Sequence, residues 1–222
     1  GEGIIYALGQ FFTEAGTDFV NEDGSKADGY VNSDASIKTA EYLNEFIKNG
    51  YANLDPVKDE FLNGKAATLL GGSWNIADLE KSNLNWGVSY FPVADDGKAA
   101  SPTGDWAAAI TRDSKNPDAA GKFLQWAMNS DNIASYASAV AKPASRTSSY
   151  EKMEGWDSGA RALMKWQLQN TGVSRPRTPS YSVLSTDFST AMLNIFAGAD
   201  AKEELDNVAK NFDENYEMYY KK

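Results

Sequence analysis

The pattern that most constrains the fold is a short apolar run followed by a glycine turn and an amphipathic helix. Residues 66–70 are a compact apolar run, typical of a buried strand. Gly71 and Gly72 permit a tight turn, and the spacing of Ile76 and Leu79 predicts a helix directly after it. Since a strand, a glycine turn and a helix form the repeating unit of α/β proteins, the sequence predicts an α/β fold.

The rest of the chain is predicted to be rich in helices. Apolar runs at residues 86–93 and 106–110 are two further strand candidates. Helices are predicted where a capping residue or a proline precedes apolar residues three and four apart. They fall at residues 4–15, after Ser33-Asp34, from Asp55-Pro56 to residue 63, after Asn116-Pro117, after Ser130-Asp131, at 181–196 and at 201–219.

The charge of the chain disfavours two classes of partner. Thirty-one acidic residues against 21 basic ones leave a formal net charge of −10, and the basic residues are scattered among the acidic ones. A negative field of this size repels nucleic acids and anionic lipid surfaces. We therefore expect no nucleic-acid partner. No apolar run approaches the roughly 20 residues of a membrane-spanning helix.

The chain contains neither histidine nor cysteine. This excludes Ser-His-Asp and Cys-His catalysis and zinc sites built from these ligands. An enzyme would have to rely on a pair of carboxylates, as glycosidases do, and no pair stands out among the many solvated acids. The absence of cysteine fits either a reducing cytosol or a bacterial exterior.

Gly71 to Asn75 place an aromatic side chain, Trp74, at the end of the first predicted strand. In open α/β sheets, ligands bind at the carboxyl ends of the strands. The alternative is that Trp74 is an anchor of the core. A phosphate-binding loop is disfavoured because the turn lacks the Gly-Lys-Ser/Thr ending.

Gly104-Asp105-Trp106 repeats this arrangement at the next strand boundary. An aromatic ring stacks on the C–H face of a sugar, and a carboxylate accepts hydrogen bonds from its hydroxyls. Both residues also have a simpler interpretation, Trp106 as a core residue and Asp105 as a solvated turn acid or helix cap.

Residues 174–181 form a loop in which two arginines alternate with prolines ahead of Tyr181. Prolines stiffen the backbone, and a rigid loop loses less entropy when a ligand binds to it. The loop is therefore a candidate polar wall of a binding site. The alternative for Arg175 and Arg177 is a surface salt bridge.

The order of these segments resembles the C-terminal part of the family 1 extracellular solute-binding proteins of bacterial ABC sugar importers. The similarity covers essentially the whole chain. The motifs that carry it include Asn-Glu-Asp-Gly at 21–24, Phe-Leu-Asn-Gly-Lys at 61–65, Gly-Gly-Ser-Trp at 71–74, Gly-Asp-Trp-Ala at 104–107, Ser-Lys-Asn-Pro at 114–117, Lys-Pro-Ala-Ser-Arg at 142–146 and Arg-Pro-Arg-Thr-Pro-Ser-Tyr at 175–181.

The resemblance implies a type II periplasmic-binding-protein-like fold of two α/β lobes that close over a ligand. It places residues 1–100 in the first part of the C-terminal lobe, 101–147 in a segment that returns to the N-terminal lobe, and 148–222 in the closing helices of the C-terminal lobe. Most of the N-terminal lobe, the export signal and the lipid-anchor cysteine of such proteins would lie outside this chain.

The resemblance also implies a function without catalysis or cofactor. The protein would bind a carbohydrate, most readily an oligosaccharide, and deliver it to the permease subunits of an ABC importer. It would be extracellular, either periplasmic or anchored to the cell surface by a lipid that this chain does not carry. Two other classes stay open: a secreted glycan-active enzyme or carbohydrate-binding module, and a purely structural interaction domain.

Seven side chains are predicted to contact the ligand through this resemblance. They are Ser73 and Trp74 in the glycine turn, Asp105 and Trp106 in the returning segment, Arg177 and Tyr181 in the proline-rich loop, and Tyr6 in the first helix. Near Ser185 the chain departs from the maltose-binding member of the family, which has a further stacking tryptophan there, and this departure counts against maltodextrin specificity.

Overall fold

The computed structural model describes residues 2–53, 59–93 and 97–221. The chain divides into two compact units. The first comprises Gly1–Lys58, Phe91–Thr103 and Thr171–Lys222, and the second comprises Asp59–Tyr90 and Gly104–Asn170. The assignment of segments to lobes, with boundaries after residues 100 and 147, stays a prediction.

Helices dominate the described residues, and none of these helices is both long and apolar enough to cross a bilayer. Two short 3-10 turns, Ser73–Asn75 and Thr147–Lys152, accompany them. The α-helices are α1 (Glu2–Glu14), α2 (Asp34–Lys48), α3 (Ile76–Lys81), α4 (Pro117–Ala127), α5 (Ser130–Ala139), α6 (Gly159–Asn170), α7 (Tyr181–Phe196) and α8 (Ala201–Tyr219).

The helix predictions at α1, α2, α4, α5, α7 and α8 are confirmed. At α2 the Ser33 hydroxyl accepts a hydrogen bond from the Ser36 amide, the N-terminal cap that the sequence indicates. At α5 the cap is Asn129 instead of Ser130, because the Asn129 side chain accepts from the Asn132 amide. The helix predicted from Asp55 begins outside the described residues, and residues 59–64 form turns.

The strand predictions at residues 66–70, 86–93 and 106–110 are wrong. In the described part of the chain the paired strands are β1 (Ser101–Pro102) and β2 (Gly172–Val173), which run parallel with Ser101 opposite Gly172. An apolar run reports a tendency to be buried, whereas a strand also needs a neighbouring backbone to pair with. These three segments have no such neighbour among the described residues, and most of their side chains are exposed.

The first unit is built around a single hydrophobic core. Helix α7 packs against α8 along its length and also contacts α1 and α2. Phe188 of α7 makes edge-to-face contacts with Phe12 and Phe19 at ring centroid distances of 5.1 and 5.0 Å. These three rings, with the buried faces of α7 and α8, hold α1 and the loop after α1 in fixed positions.

The second unit has a smaller core on α5 and the 3-10 turn that follows it. Its largest members are Tyr150 and Trp156, whose rings meet edge to face at 5.6 Å, with Ile133 and Met153 beside them. Helices α3 and α6 are joined by an ion pair in which the Arg161 guanidinium contacts both carboxylate oxygens of Glu80. Many apolar side chains of this unit are exposed.

Candidate functional site

A cavity of about 710 Å³ opens in the first unit beside α1. Its walls come from one face of α1, the loop after it, the ends of β1 and β2, and the proline-rich loop before α7. Cavities of this size hold small ligands in many proteins. The side chains that decide its chemistry are Tyr6, Asp18, Glu22, Arg175, Arg177 and Tyr181.

Helix α1 presents a polar stripe to this cavity. Tyr6, Gln10 and Thr13 are four and three residues apart, so they share one face of the helix. The Gln10 side chain is buried, and its Nε2 donates to the Ala7 carbonyl at 2.9 Å. Its Oε1 receives no hydrogen bond from the described residues, which leaves a buried acceptor at the cavity wall.

Glu2, at the start of α1, connects three side chains at one end of the cavity. Its Oε1 lies 2.5 Å from Arg175 Nε and accepts a hydrogen bond from the Tyr181 hydroxyl at 3.1 Å. Its Oε2 accepts from the Ser185 hydroxyl at 3.1 Å. Burial, and next the hydrogen bond to Glu2, raise the pKa of Tyr181 to about 12. Tyr181 is therefore a neutral donor at physiological pH.

Arg175 lies between this carboxylate and an aromatic ring. Its guanidinium carbon is 5.3 Å from the centroid of the Tyr6 ring, within the range of a cation–π contact. The Tyr6 hydroxyl in turn donates to the Pro102 carbonyl of β1 at 3.4 Å. The salt-bridge interpretation of Arg175 is thus confirmed, and its partner is Glu2.

A second loop sets the position of Arg177. The Asn21 Oδ1 accepts hydrogen bonds from the amides of Ser25 and Lys26, at 2.8 and 2.9 Å, and closes a tight turn. Gly24 in this turn has a φ of +74°, and a Cβ there would overlap the Arg177 carbonyl oxygen. The turn therefore packs directly on the backbone of the proline-rich loop, as only glycine allows.

The Arg177 side chain is exposed at the cavity. Within the described residues it has no carboxylate at ion-pair distance, in contrast to Arg175. Asp18 and Glu22 contribute exposed carboxylates to the wall formed by the loop after α1. The cavity thus offers both donors and acceptors of hydrogen bonds beside aromatic rings.

The glycine turn of the second unit presents Trp74 at its surface. Gly72 donates its amide to the Asn75 Oδ1 at 3.0 Å, and the Trp74 ring lies so close over Gly72 that a Cβ there would overlap it. Trp74 is 53% exposed, and Ser73 beside it is half-buried. An indole exposed to this extent is not a core anchor within its unit.

Asp105 and Trp106 also lie at the surface of the second unit. Trp106 is 92% exposed, so it is not part of the core of that unit. Asp105 accepts hydrogen bonds from the Trp106 amide at 2.8 Å and from Lys142 Nζ at 3.0 Å. Burial opposes the ionisation of Asp105, but these two hydrogen bonds outweigh it and lower the pKa of the carboxyl group.

The structure brings three of the seven predicted residues together, because Tyr6, Arg177 and Tyr181 line the same cavity. Ser73, Trp74, Asp105 and Trp106 belong to the second unit. The seven together stay a prediction of a ligand site. Sequence reasoning missed Glu2, Gln10, Asp18 and Glu22. Of these, Gln10 could have been found, because it lies on the polar face of α1 together with Tyr6 and Thr13.

Comparison with known proteins assigns the chain to a class of solute receptors. The sequence profile described as bacterial extracellular solute-binding protein matches residues 4–163, which is most of the chain. The chain therefore belongs to the bacterial extracellular solute-binding protein family. The family resemblance drawn from the sequence motifs is confirmed.

Two curated relatives from Bacillus subtilis match nearly the whole chain. The maltodextrin-binding protein MdxE is 23% identical in an alignment of 212 residues that covers 93% of this chain and 49% of the relative. A galactooligosaccharide-binding protein is 24% identical in an alignment of 202 residues that covers 85% of this chain and 48% of the relative. The chain thus spans about half the length of these relatives.

Solved structures share the fold. The GacH receptor of Streptomyces glaucescens superimposes with a TM-score of 0.83 at 22% identity, over 96% of this chain and 57% of the receptor. The maltose-binding protein MalE of Listeria monocytogenes gives a TM-score of 0.77 at 18% identity, over 98% of this chain and 59% of MalE. The predicted type II periplasmic-binding-protein-like fold, rich in helices, is confirmed.

Proposed function

We propose that this chain is the sugar-binding portion of an extracellular receptor that delivers a carbohydrate to the permease of an ABC importer. The observation that carries the proposal is a cavity walled by tyrosines, arginines and carboxylates in a member of a solute-binding family. The names of the two curated relatives, which bind maltodextrin and galactooligosaccharide, point to an oligosaccharide.

The chemistry of the cavity suits a sugar. Aromatic rings such as Tyr6 and Tyr181 pack against the C–H faces of a pyranose, while charged and amide groups pair with its hydroxyls. Arg177 donates, and Asp18 and Glu22 accept. The Oε1 of Gln10, which receives no hydrogen bond from the described residues, is a further acceptor that a hydroxyl would satisfy.

The second unit is proposed to present carbohydrate-binding side chains of its own. Exposed indoles at Trp74 and Trp106, with Ser73 and Asp105 beside them, offer stacking faces and hydrogen-bonding groups. In this proposal Asp105 is held ready as a charged acceptor by Lys142.

The remaining parts of the proposal follow from the family. The receptor works outside the cytoplasm, in the periplasm or tethered by a lipid, and meets the membrane through that lipid and the permease. It binds sugar without cleaving it and needs no cofactor. Nucleic acids are not among its partners, in keeping with its net charge of −10.

The test is calorimetric titration of the chain with a panel of neutral oligosaccharides that includes maltotriose and a galactotriose, followed by chromatography of the sugar. Saturable heat with intact sugar supports the proposal. Arg177→Ala should weaken binding roughly 10- to 100-fold, since a hydrogen bond from a charged donor is worth about 1.5–3 kcal/mol.

The matched control is Arg112→Ala, which removes another exposed arginine, one paired with Asp113 in the second unit. It should leave the affinity unchanged. Cleavage of the sugar would favour the glycan-active enzyme instead. A lack of heat across the panel, or equal losses in both variants, would contradict the proposed site.

A further inference from the structure

The two arginines that line the cavity differ in their electrostatic partners. Arg177 has no carboxylate at ion-pair distance within the described residues, whereas Arg175 Nε lies 2.5 Å from the Glu2 carboxylate. Glu2 is not itself a lining residue of the cavity. The positive charge of Arg175 is therefore neutralised by a carboxylate that does not itself line the cavity.

Glu2 is well placed to keep Arg175 compensated. The Tyr181 and Ser185 hydroxyls each donate to its carboxylate at 3.1 Å, so the carboxylate is fixed by two donors besides the guanidinium. The Tyr6 ring holds the guanidinium from another side, at 5.3 Å. The Nε of this guanidinium is thus taken up by Glu2.

Among the residues that the structure describes, the charges that remain at the cavity are those of Asp18, Glu22 and Arg177. Two carboxylates against one uncompensated guanidinium make the wall negative on balance. An anionic sugar entering the cavity would meet this negative balance, and it would have to compete with Glu2 for Arg175. Discrimination of this kind depends on an unfavourable contact with the wrong ligand.

We infer that Glu2 is a specificity-determining residue: it neutralises Arg175 and so makes the cavity select uncharged carbohydrates over anionic ones such as uronic acids. This inference rests on the proposed function. It assigns Glu2 a role through Arg175, without contact between Glu2 and the ligand.

The experiment compares two ligands on the full chain, a neutral oligosaccharide that binds the wild type and its counterpart ending in a glucuronic acid. Wild type should prefer the neutral sugar. Glu2→Gln keeps one acceptor oxygen, for either Tyr181 or Ser185, and removes the negative charge that neutralises Arg175. We expect its affinity for the uronic acid to rise about ten-fold and its affinity for the neutral sugar to stay within about two-fold.

Two further variants separate this role from a structural one. Glu2→Gln/Arg175→Gln should lose the gain for the uronic acid, because the released guanidinium is gone. Glu217→Gln removes the same charge from an exposed glutamate paired with Lys221 at 2.8 Å, and should change neither affinity. The gain in Glu2→Gln should also shrink as salt is raised, as an electrostatic contact does.

The outcomes distinguish the two proposals. Equal affinity of the wild type for both ligands, or no gain for the uronic acid in Glu2→Gln, would overturn the role of Glu2 and leave the proposed function standing. A gain that persists in the double variant would also overturn it. If no neutral sugar binds the wild type, the proposed function and the inference fail together.

Discussion

The two units bury their apolar side chains to very different extents. In the first, α1, α2, α7 and α8 enclose one continuous core in which Phe12 and Phe188 are completely or almost completely buried. In the second, the main buried cluster lies on α5 and the residues after it, and Phe123 and Trp126 of α4 are about 60% exposed. Similar helices thus differ in what packs against them.

This difference shows what an amphipathic pattern does and does not specify. The apolar face of α7 is buried because α8 follows α7 closely in sequence and packs along it. The pattern on α4 is equally regular, but the described residues place little against its apolar face. An apolar stripe predicts a helix, whereas a core forms only where a second element covers the stripe.

The largest expected effect comes from opening the core of the first unit. Phe188→Ala should lower the free energy of unfolding by about 3–5 kcal/mol, because it leaves a cavity and removes two edge-to-face ring contacts. Urea denaturation, monitored by circular dichroism, measures this loss of unfolding free energy. Phe123→Ala makes the same chemical change at an exposed site and should cost less than about 1 kcal/mol. Similar losses in the two variants would contradict the contrast between the units.

A smaller effect should come from a buried acid in the first unit. Glu14, the last residue of α1, is 4% exposed, and its Oε1 accepts a long hydrogen bond of 3.4 Å from the Ala100 amide. Burial raises the pKa of Glu14 to about 7, and the hydrogen bond offsets only part of this rise. The folded state therefore keeps a proton that the unfolded state releases near pH 4.5.

The sign of the pH dependence follows from this difference. Below pH 4.5 both states are protonated and Glu14 contributes no pH dependence. Between pH 4.5 and 7 stability should fall, by as much as about 3 kcal/mol in total, and it should level off above pH 7. Glu14→Gln keeps an acceptor for Ala100 and should flatten this part of the profile in urea denaturation. Parallel profiles of variant and wild type would disprove a buried, protonated Glu14.

The smallest effect on stability is expected at Trp106. Because the indole is 92% exposed, Trp106→Ala should change the free energy of unfolding by no more than about 0.5 kcal/mol. The same variant should weaken sugar binding if the ring stacks on the ligand. Trp126→Ala, another exposed tryptophan of the second unit, is the control and should leave binding unchanged. A large loss of stability at Trp106 would show that the ring is part of a core.

The helices were predictable because their signals are local. The bounds of α7 and α8 agree with the spacing of their apolar residues, and Ser33 caps α2 as expected. The predicted strands failed because pairing depends on distant residues: β1 meets β2 about 70 residues further along the chain. A sequence pattern of period two carries no information about which backbone lies alongside.

Only those residues of the candidate site that carry a local sequence signal could be predicted. Arg177 and Tyr181 stood out in a short proline-rich loop, and Tyr6 was reached through the family resemblance. Glu2 was missed because its partners Arg175, Tyr181 and Ser185 lie more than 170 residues away in sequence. Nothing near Glu2 distinguishes it from other acids on helix surfaces.

The close approach of Gly24 to the Arg177 carbonyl has a consequence for engineering. The loop is supported at this contact through backbone shape, which does not depend on the side chain of residue 177. A library that varies Arg177 while keeping Gly24 should retain this contact and change the selectivity of the cavity. In directed evolution toward a new sugar, Gly24 is the position to hold constant.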